Sequence, residues 1–228
     1  MDDLLASQKA YYRARASEYD AWFLRQGRYD RGEAHKERWE AEVRGLEEAL
    51  ADFGPSGDII ELACGTGWWT ERLAAYGDTL TAVDAAPEVI ALNKERLAGK
   101  PARYVLADLF TWEPEPRFDT VFFSFWLSHV PPERFEAFWG MVRRCLKPGG
   151  RVFFIDSLHT PEGTAKDHVL NGAEATTVMR RLDDGRTFDI IKVFYEPARL
   201  EAQLETLGWR AEVRRTETFF VYGAARLP

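Results

Sequence analysis

The sequence has few cysteines, no excess of positive charge and no long apolar run, and each absence excludes a class of protein. Its two cysteines, Cys64 and Cys145, are too few for a disulfide framework and do not have metal-ligand spacing. The 30 lysine and arginine residues against 37 aspartate and glutamate residues give a net charge of −7. This balance disfavours nucleic acid as a partner, because phosphate binding needs clustered cations.

The chain also shows no membrane or secretion signal. No apolar stretch approaches the ~20 residues that a membrane-spanning helix needs. The first residues, Met1-Asp2-Asp3, are acidic and begin no apolar signal region. We therefore expect a cytoplasmic protein without a membrane partner.

What is present is an alternation of apolar strands and helices over 228 residues, which predicts a single domain. The first 52 residues are predicted to be largely helical, with an amphipathic helix from Glu33 to Leu50 that ends before Gly54-Pro55-Ser56-Gly57. Strands are then predicted at 58–62, 79–83, 103–106, 120–123 and 151–155, and helices at 66–76, 87–97 and 131–145. Continuous apolar strands between helices indicate a parallel sheet that is covered on both faces.

Beyond Asp156 the alternation is less regular. Strands at 176–182 and 187–194 flank the turn residues Asp183-Asp184-Gly185-Arg186 and predict a hairpin. A helix at 197–207 and strands at 209–214 and 218–222 follow. His159 and His168, with Asp156 and Asp167 nearby in the chain, match no metal-ligand spacing, so no metal site is expected.

The most informative segment is Glu61-Leu62-Ala63-Cys64-Gly65-Thr66-Gly67, which links a strand to a helix. Gly65 and Gly67 carry no Cβ, so a ligand can approach the backbone closely. A dinucleotide-binding turn would have a third glycine where Thr70 stands, and a P-loop would have a lysine after Gly67. The turn therefore disfavours both of these ligands.

Polar residues recur where the other predicted strands end, at Asp84, Asp108 and Ser124. Ligands of open parallel sheets bind at the carboxyl ends of the strands, near the point where the strand order reverses. The Asp84 carboxylate offers two acceptor oxygens, which suits the two hydroxyls of a ribose.

This order of elements, together with Leu146-Lys147-Pro148-Gly149-Gly150, resembles the class I S-adenosylmethionine-dependent methyltransferases over residues 58–156. The resemblance implies a Rossmann-like α/β fold, with a doubly wound, mostly parallel seven-stranded sheet and an N-terminal helical lid. It implies one domain, divided into a lid (1–53), a cofactor-binding core (54–156), a substrate-side insertion (157–195) and the end of the sheet (196–228). The expected reaction transfers the methyl group of S-adenosylmethionine to an oxygen, nitrogen or carbon of a small organic acceptor, and S-adenosylhomocysteine is the product.

The resemblance also implies the site residues. Glu61 would bind the methionine end of the cofactor, Asp84 its ribose and Asp108 its adenine amino group. Aromatic residues of the lid would contact the methionine part, where aromatic faces stabilise a sulfonium cation. His129 follows the fourth strand, in the loop that faces the acceptor, and is the predicted general base. The complete predicted cofactor-binding set is Tyr12, Tyr19, Trp22, Glu61, Ala63, Gly65, Thr66, Gly67, Asp84, Ala85, Asp108, Leu109 and Phe125.

Three alternatives stay open at this point. The enzyme would use S-adenosylmethionine for another reaction, or it would be a catalytically silent partner subunit that only binds the cofactor. The third alternative is a nicotinamide dinucleotide enzyme, which Thr70 disfavours. The sequence also leaves a homodimer open, since lids are exchanged between subunits in this superfamily.

Overall fold

The computed structural model describes residues 2–115, 117–169, 171–172 and 174–228, and a central seven-stranded sheet organises it. The strands of this sheet are β1 (Asp58–Leu62), β2 (Thr79–Asp84), β3 (Arg103–Leu106), β4 (Phe118–Ser124), β5 (Leu146–Ser157), β8 (Arg210–Arg215) and β9 (Phe220–Arg226). A separate hairpin consists of β6 (Thr177–Arg181) and β7 (Thr187–Ile191). The helices are α1 (Asp2–Ala14), α2 (Tyr19–Phe23), α3 (Glu33–Phe53), α4 (Trp68–Leu73), α5 (Pro87–Leu97), α6 (Phe135–Cys145) and α7 (Pro197–Thr206).

The strand order is β3-β2-β1-β4-β5-β9-β8, and the first five strands of this order run parallel. Strand β9 is antiparallel to both β5 and β8. The order reverses between β1 and β4, so a crevice opens at the carboxyl ends of these two strands. The doubly wound, mostly parallel sheet predicted from the sequence is confirmed.

Both faces of the sheet are buried because consecutive apolar residues point to opposite sides. Ile59, Phe122 and Phe153 pack on one side with α3 and α4, whereas their neighbours Ile60 and Phe123 pack on the other side with α6 and α7. This is why the strands have continuous apolar sequences instead of alternating ones.

Helix α1 packs on the hairpin and not on the central sheet. Tyr11 is buried among Val178, Leu182 and Ile190 of the hairpin. The buried side chain of Gln8 accepts a hydrogen bond from the Ile191 N–H (3.0 Å) and donates one to the main-chain carbonyl of His129 (3.1 Å). The first helix and the hairpin therefore form one layer over the carboxyl ends of the strands.

Some element bounds differ from those predicted. The helix predicted at 66–76 covers only Trp68–Leu73, since Gly67 has a left-handed conformation and the chain turns again before β2. The N-terminal helical region is interrupted at Gly27 and Gly32, both of which have positive φ. Strand β5 begins at Leu146, five residues earlier than predicted, because Leu146 already pairs with Phe118 of β4, ahead of a register shift between Phe118 and Thr120.

Candidate active site

A cavity of about 860 Å³ lies at the crevice between β1 and β4. Ten of the fourteen predicted site residues line it: Tyr12, Tyr19, Ala63, Gly65, Asp84, Ala85, Asp108, Leu109, Phe125 and His129. The structure thus brings together side chains from α1 and from four strand ends that are far apart in the sequence.

The chain leaves both central strands through strained turns. Ala63 after β1 and Phe125 after β4 have φ values of 54° and 53°, in the left-handed region that non-glycine residues rarely adopt. Each costs about 1–2 kcal/mol relative to a right-handed conformation. Backbone strain of this kind clusters at ligand sites, and both residues line the cavity.

The Asp84 carboxylate holds the glycine turn in place. Its Oδ2 accepts a hydrogen bond from the Gly65 N–H (3.0 Å), and its Oδ1 accepts one from the Ala86 N–H (2.9 Å). Burial raises the pKa of Asp84, while these hydrogen bonds act in the opposite direction. The carboxylate also lines the cavity, so its remaining acceptor positions are available to a ligand.

Four predicted residues lie outside this cavity. Glu61 is buried beneath the turn, where its Oε2 accepts a hydrogen bond from the Thr70 hydroxyl, and burial raises its pKa to about 8. The Thr66 hydroxyl donates to Oδ1 of Asp20 (2.7 Å) and does not reach the cavity. Gly67 and Trp22 also lie outside the first cavity. A direct cofactor contact for these four residues stays a prediction.

Gly67 is required by close packing. A Cβ at this position would lie 2.7 Å from both Cγ and Oδ1 of Asn93, and its φ is 91°. The buried Asn93 amide donates to the Gly65 carbonyl (3.2 Å) and to Thr70 Oγ1 (2.8 Å). The glycine turn therefore rests on α5 through Asn93.

At the end of the cavity near β3, Asp108 connects the core to α1. Its Oδ1 accepts a hydrogen bond from the Phe110 N–H (3.0 Å), and its Oδ2 forms an ion pair with Lys9. The apolar side chains of Val89, Leu109 and Phe110 line the same end. Lys9 was not predicted from the sequence, since a lysine on a polar helix face gives no signal.

Tyr12, Tyr19, Phe125 and His129 also border a second cavity of about 640 Å³. Trp22 lines this second cavity. The two cavities meet at the phenol of Tyr12 and the imidazole of His129, so two ligands can be held side by side there.

The His129 imidazole has two hydrogen-bond partners, and its surroundings favour the neutral form. Its Nδ1 is 2.7 Å from the carbonyl oxygen of Ile191, which can only accept, so Nδ1 carries the proton. Its Nε2 therefore accepts a hydrogen bond from the Tyr12 hydroxyl (2.6 Å). Burial and then the charge of Lys192 lower the pKa of His129 well below its usual value.

Sequence reasoning missed the cations of the second cavity, Arg15, Arg180 and Lys192. One signal was present in the sequence. Arg180 lies between Val178 and Leu182 at alternate positions of a strand, on the face that these two residues bury. A charged residue on an apolar strand face indicates a buried site.

Comparisons with known proteins show the family to which the chain belongs. A methyltransferase-domain family model matches residues 59–150. The structure of DhpI in complex with SAH is 38% identical, with a TM-score of 0.82, and the alignment covers 100% of this chain and 98% of that chain. The ubiquinone biosynthesis O-methyltransferase of Xanthomonas axonopodis pv. citri (strain 306) is 31% identical over 175 residues, covering 73% of this chain and 69% of that protein.

The chain belongs to the S-adenosylmethionine-dependent methyltransferases. This family assignment and its cofactor confirm what the glycine turn and the strand-end acids predicted, and they exclude the nicotinamide alternative. The related enzyme of Xanthomonas euvesicatoria pv. vesicatoria (strain 85-10) is 32% identical, and the chain spans 63% of its length. The Burkholderia thailandensis 1,6-didemethyltoxoflavin-N1-methyltransferase structure, at 20% identity and a TM-score of 0.64, shows the same fold.

The residues of this methyltransferase fit its cofactor. A Cβ at Gly65 would meet no protein atom within 4 Å, so the turn leaves open space against its backbone. The carboxylate of Asp84 and the aromatic rings of Tyr12, Tyr19 and Phe125 line the cavity, and a carboxylate and aromatic faces are groups that can bind a ribose and a sulfonium. Among the described residues, no helix of this methyltransferase is long and apolar enough to cross a membrane.

Proposed function

We propose that this enzyme transfers the methyl group of S-adenosylmethionine to an oxygen, nitrogen or carbon nucleophile of a small organic acceptor. The observation that supports this most directly is the common border of the two cavities at Tyr12, Tyr19, Phe125 and His129. Bound S-adenosylmethionine supplies an electrophilic methyl carbon on a cationic sulfur. The enzyme contributes alignment of the reactants and exclusion of water.

In this proposal the first cavity holds the cofactor. Asp84 binds the ribose hydroxyls, the backbone at Ala63 and Gly65 faces the methionine part, and Ala85 and Leu109 contact the nucleoside. Asp108 lies near the adenine, with one oxygen held by Lys9. Glu61, Thr66 and Gly67 act as positioning residues beneath the turn, as their hydrogen bonds and packing support.

We infer that Tyr12 and His129 remove the acceptor's proton together when the nucleophile is a hydroxyl or an amine. The acceptor donates its proton to the Tyr12 oxygen while the Tyr12 proton moves to Nε2 of His129 along the existing hydrogen bond. The imidazolium that forms keeps its Nδ1–H on the Ile191 carbonyl. Proton transfer by a positioned group of this kind contributes about 10²–10⁴-fold to the rate.

The division of the chain is part of the same proposal. Residues 1–53 act as a lid, 54–156 as the cofactor-binding core, 157–195 as the acceptor-side insertion and 196–228 as the end of the sheet. A homodimer, a cytoplasmic location and the lack of a nucleic-acid partner are further proposals. Light scattering after size-exclusion chromatography tests the first, cell fractionation the second and a filter-binding assay with DNA and RNA the third.

The proposed cofactor role is tested by calorimetry with S-adenosylmethionine, S-adenosylhomocysteine and NAD on the wild type and on Asp84→Ala. We expect the first two to bind and to lose at least tenfold in affinity in the variant, since hydrogen bonds to a charged group contribute about 1.5–3 kcal/mol each. Asp78→Ala is the matched control, because Asp78 is exposed on the loop before β2. Binding that does not change in Asp84→Ala would contradict the ribose role.

The reaction type is tested separately by product analysis with a panel of small acceptors. Methyl transfer releases S-adenosylhomocysteine, whereas transfer of the aminocarboxypropyl arm releases methylthioadenosine. If neither product forms while the cofactor binds tightly, the catalytically silent alternative is supported instead.

A further inference from the structure

The second cavity contains more positive than negative charge. Arg15, Arg180 and Lys192 line it, and no aspartate or glutamate of the described chain does. Lys192 donates a hydrogen bond to Ser128 Oγ (2.7 Å) and pairs with Asp156 at 3.5 Å. The guanidinium groups of Arg15 and Arg180 therefore have no carboxylate counter-charge among the described residues that line the cavity.

Arg15 has no carboxylate partner in the part of the chain that the structure describes. Its guanidinium donates to the Tyr29 hydroxyl (3.3 Å) and lies 5.1–5.8 Å from the ring centroids of Tyr11, Tyr19 and Trp22. Aromatic faces attract a cation, but they do not neutralise it. The charge of Arg15 therefore remains directed at the cavity it lines.

Two buried polar groups at this cavity have no hydrogen-bond partner among the described residues. They are Nη1 of Arg180 and Oγ1 of Thr160, and both residues line the cavity. An unsatisfied buried donor is costly, so a ligand or an ordered water that pairs with it is favoured. A guanidinium and a hydroxyl together suit a ligand with several acceptor oxygens.

A nearby arginine shows what a structural role looks like in this chain. Arg28 pairs with Asp167 and Asp183 and donates to the main-chain carbonyl of Arg181. Arg180 on strand β6, in contrast, has no carboxylate partner among the described residues.

We propose that the acceptor of this methyltransferase carries an oxyanion group, a carboxylate or a phosphate, which Arg15, Arg180 and Lys192 bind. The inference rests on the proposed function, since it assigns the second cavity to the acceptor. The anionic end lies among the three cations, and the nucleophile points to Tyr12 and His129 at the border with the cofactor cavity. Charge then selects the acceptor and fixes its orientation.

The test is calorimetry on protein saturated with S-adenosylhomocysteine, with inorganic phosphate, acetate and neutral glycerol as probes at constant ionic strength. The variants are Arg15→Gln and Arg180→Gln. Arg181→Gln is the matched control, because its exposed side chain lies next to Arg180 on the same strand and outside the cavity. We expect at least one of the two anions to bind to the wild type. Both Arg15→Gln and Arg180→Gln should lower the affinity for that anion tenfold or more.

Phosphate bound more tightly than acetate identifies a phosphoryl acceptor, and the reverse order identifies a carboxylate; either result supports the proposal. Glycerol is expected not to bind. If neither anion binds beyond the effect of chloride, or if Arg181→Gln loses as much affinity as Arg180→Gln, the proposal is wrong. Failure of S-adenosylhomocysteine itself to bind would instead contradict the proposed function.

Thermal melting without any anion separates binding from a structural role. Removing an uncompensated cation relieves repulsion, so Arg180→Gln should melt at the same temperature as the wild type or higher, as is common when a functional residue is removed. Phosphate or acetate should then stabilise the wild type and not this variant. A lower melting temperature for Arg180→Gln would show that the arginine holds the hairpin and would overturn the proposal.

Discussion

The hydroxyl of Tyr12 and Nε2 of His129 lie 2.6 Å apart at the border of the two cavities. Tyr12 comes from the first helix and His129 from the loop after β4, so this hydrogen bond joins the N-terminal segment to the core of the molecule. Both residues line both cavities.

Tyr12→Phe should reduce the turnover rate by about 10²–10³-fold, within the range that positioned proton transfer contributes. The ring and its packing remain, so the affinity for S-adenosylhomocysteine should change less than threefold. Single-turnover assays and calorimetry measure the two quantities, and Tyr76→Phe, outside both cavities, is the control. Equal losses of turnover rate and cofactor affinity would contradict proton transfer through Tyr12 to His129.

The imidazole of His129 should become more basic when an anion binds. Burial, Lys192, Arg180 and Arg15 lower its pKa, while its hydrogen bond to the Ile191 carbonyl raises it. A bound phosphate would neutralise the nearby cations, so the imidazolium would be less unfavourable. We therefore expect the pKa of His129 to rise when phosphate binds, from a starting point well below its usual value.

Nuclear magnetic resonance titration of the imidazole signals tests this coupling. The chain has four histidines, and a spectrum of His129→Gln identifies the signal of His129 by its absence. With phosphate present its midpoint should move to higher pH, whereas the midpoint of His35, which lies outside this cavity, should not. An unchanged midpoint at saturating phosphate would contradict the coupling.

Lys9→Ala should speed the release of S-adenosylhomocysteine about two- to fivefold, since an exposed ion pair contributes about 0.2–1 kcal/mol. The reason is the ion pair with Asp108, which holds α1 over the cofactor cavity. Stopped-flow displacement measures the rate, and Lys36→Ala, which removes an exposed pair with Glu40 on α3, is the control. Faster release of S-adenosylhomocysteine in both variants would show that the effect is not specific to the Lys9–Asp108 ion pair.

Replacing each glycine of the turn by alanine should have a different main effect, on stability at Gly67 and on cofactor affinity at Gly65. Gly67→Ala introduces a Cβ that clashes with Asn93, which costs about 1–3 kcal/mol in packing and about 1–2 kcal/mol in backbone strain. We expect its melting temperature to fall by roughly 5–15 °C. Gly65→Ala carries similar backbone strain, since its φ is 52°, but its Cβ meets no protein atom within 4 Å; its melting temperature should therefore fall less, and it should lose cofactor affinity by tenfold or more. Calorimetry and thermal melting of both variants measure the contrast, and the reverse pattern would contradict it.

Glu61→Gln should reduce the loss of stability as the pH rises. Burial raises the pKa of Glu61 from 4.5 to about 8, so the folded state keeps this proton and the unfolded state releases it between these values. The free energy of unfolding of the wild type therefore falls with rising pH across that window, by up to about 1.4 kcal/mol per pH unit. The glutamine variant removes this contribution.

Urea unfolding of the cofactor-free protein at pH 5 and pH 8.5 measures the effect. The difference between wild type and Glu61→Gln should shift in favour of the variant at the higher pH, and Glu48→Gln, on the exposed surface of α3, should show no such shift. A difference that is the same at both pH values would show that Glu61 is ionised in the folded protein.

The strands and the first cavity were predictable because their signals are local. Apolar runs define the buried strands, and Asp84 and Asp108 follow two of these runs directly, so their positions at the sheet edge follow from the parallel arrangement. The glycine turn was predictable because its two glycines stand out in the sequence. In the structure Gly65 and Gly67 both have positive φ, a conformation that favours glycine.

The second cavity was not predictable in the same way. It forms only where the N-terminal segment, the loop after β4 and the β6–β7 hairpin meet, and contacts such as Gln8 with Ile191 join residues 183 positions apart. Arg15 and Lys192 give no pattern of their own, because one follows a polar helix and the other follows two isoleucines. Their common role depends on three-dimensional proximity, which periodicity does not report.

The amide of Gln8 has a consequence for the order of events in turnover. It is bonded at once to the Ile191 N–H and to the His129 carbonyl, so α1 cannot lift without releasing both the hairpin and the loop that carries the proposed base. We expect opening to expose both cavities in one movement. S-adenosylhomocysteine and the methylated product would then leave through the same opening. The hydrogen bond between Tyr12 and His129 would be broken whenever α1 is lifted.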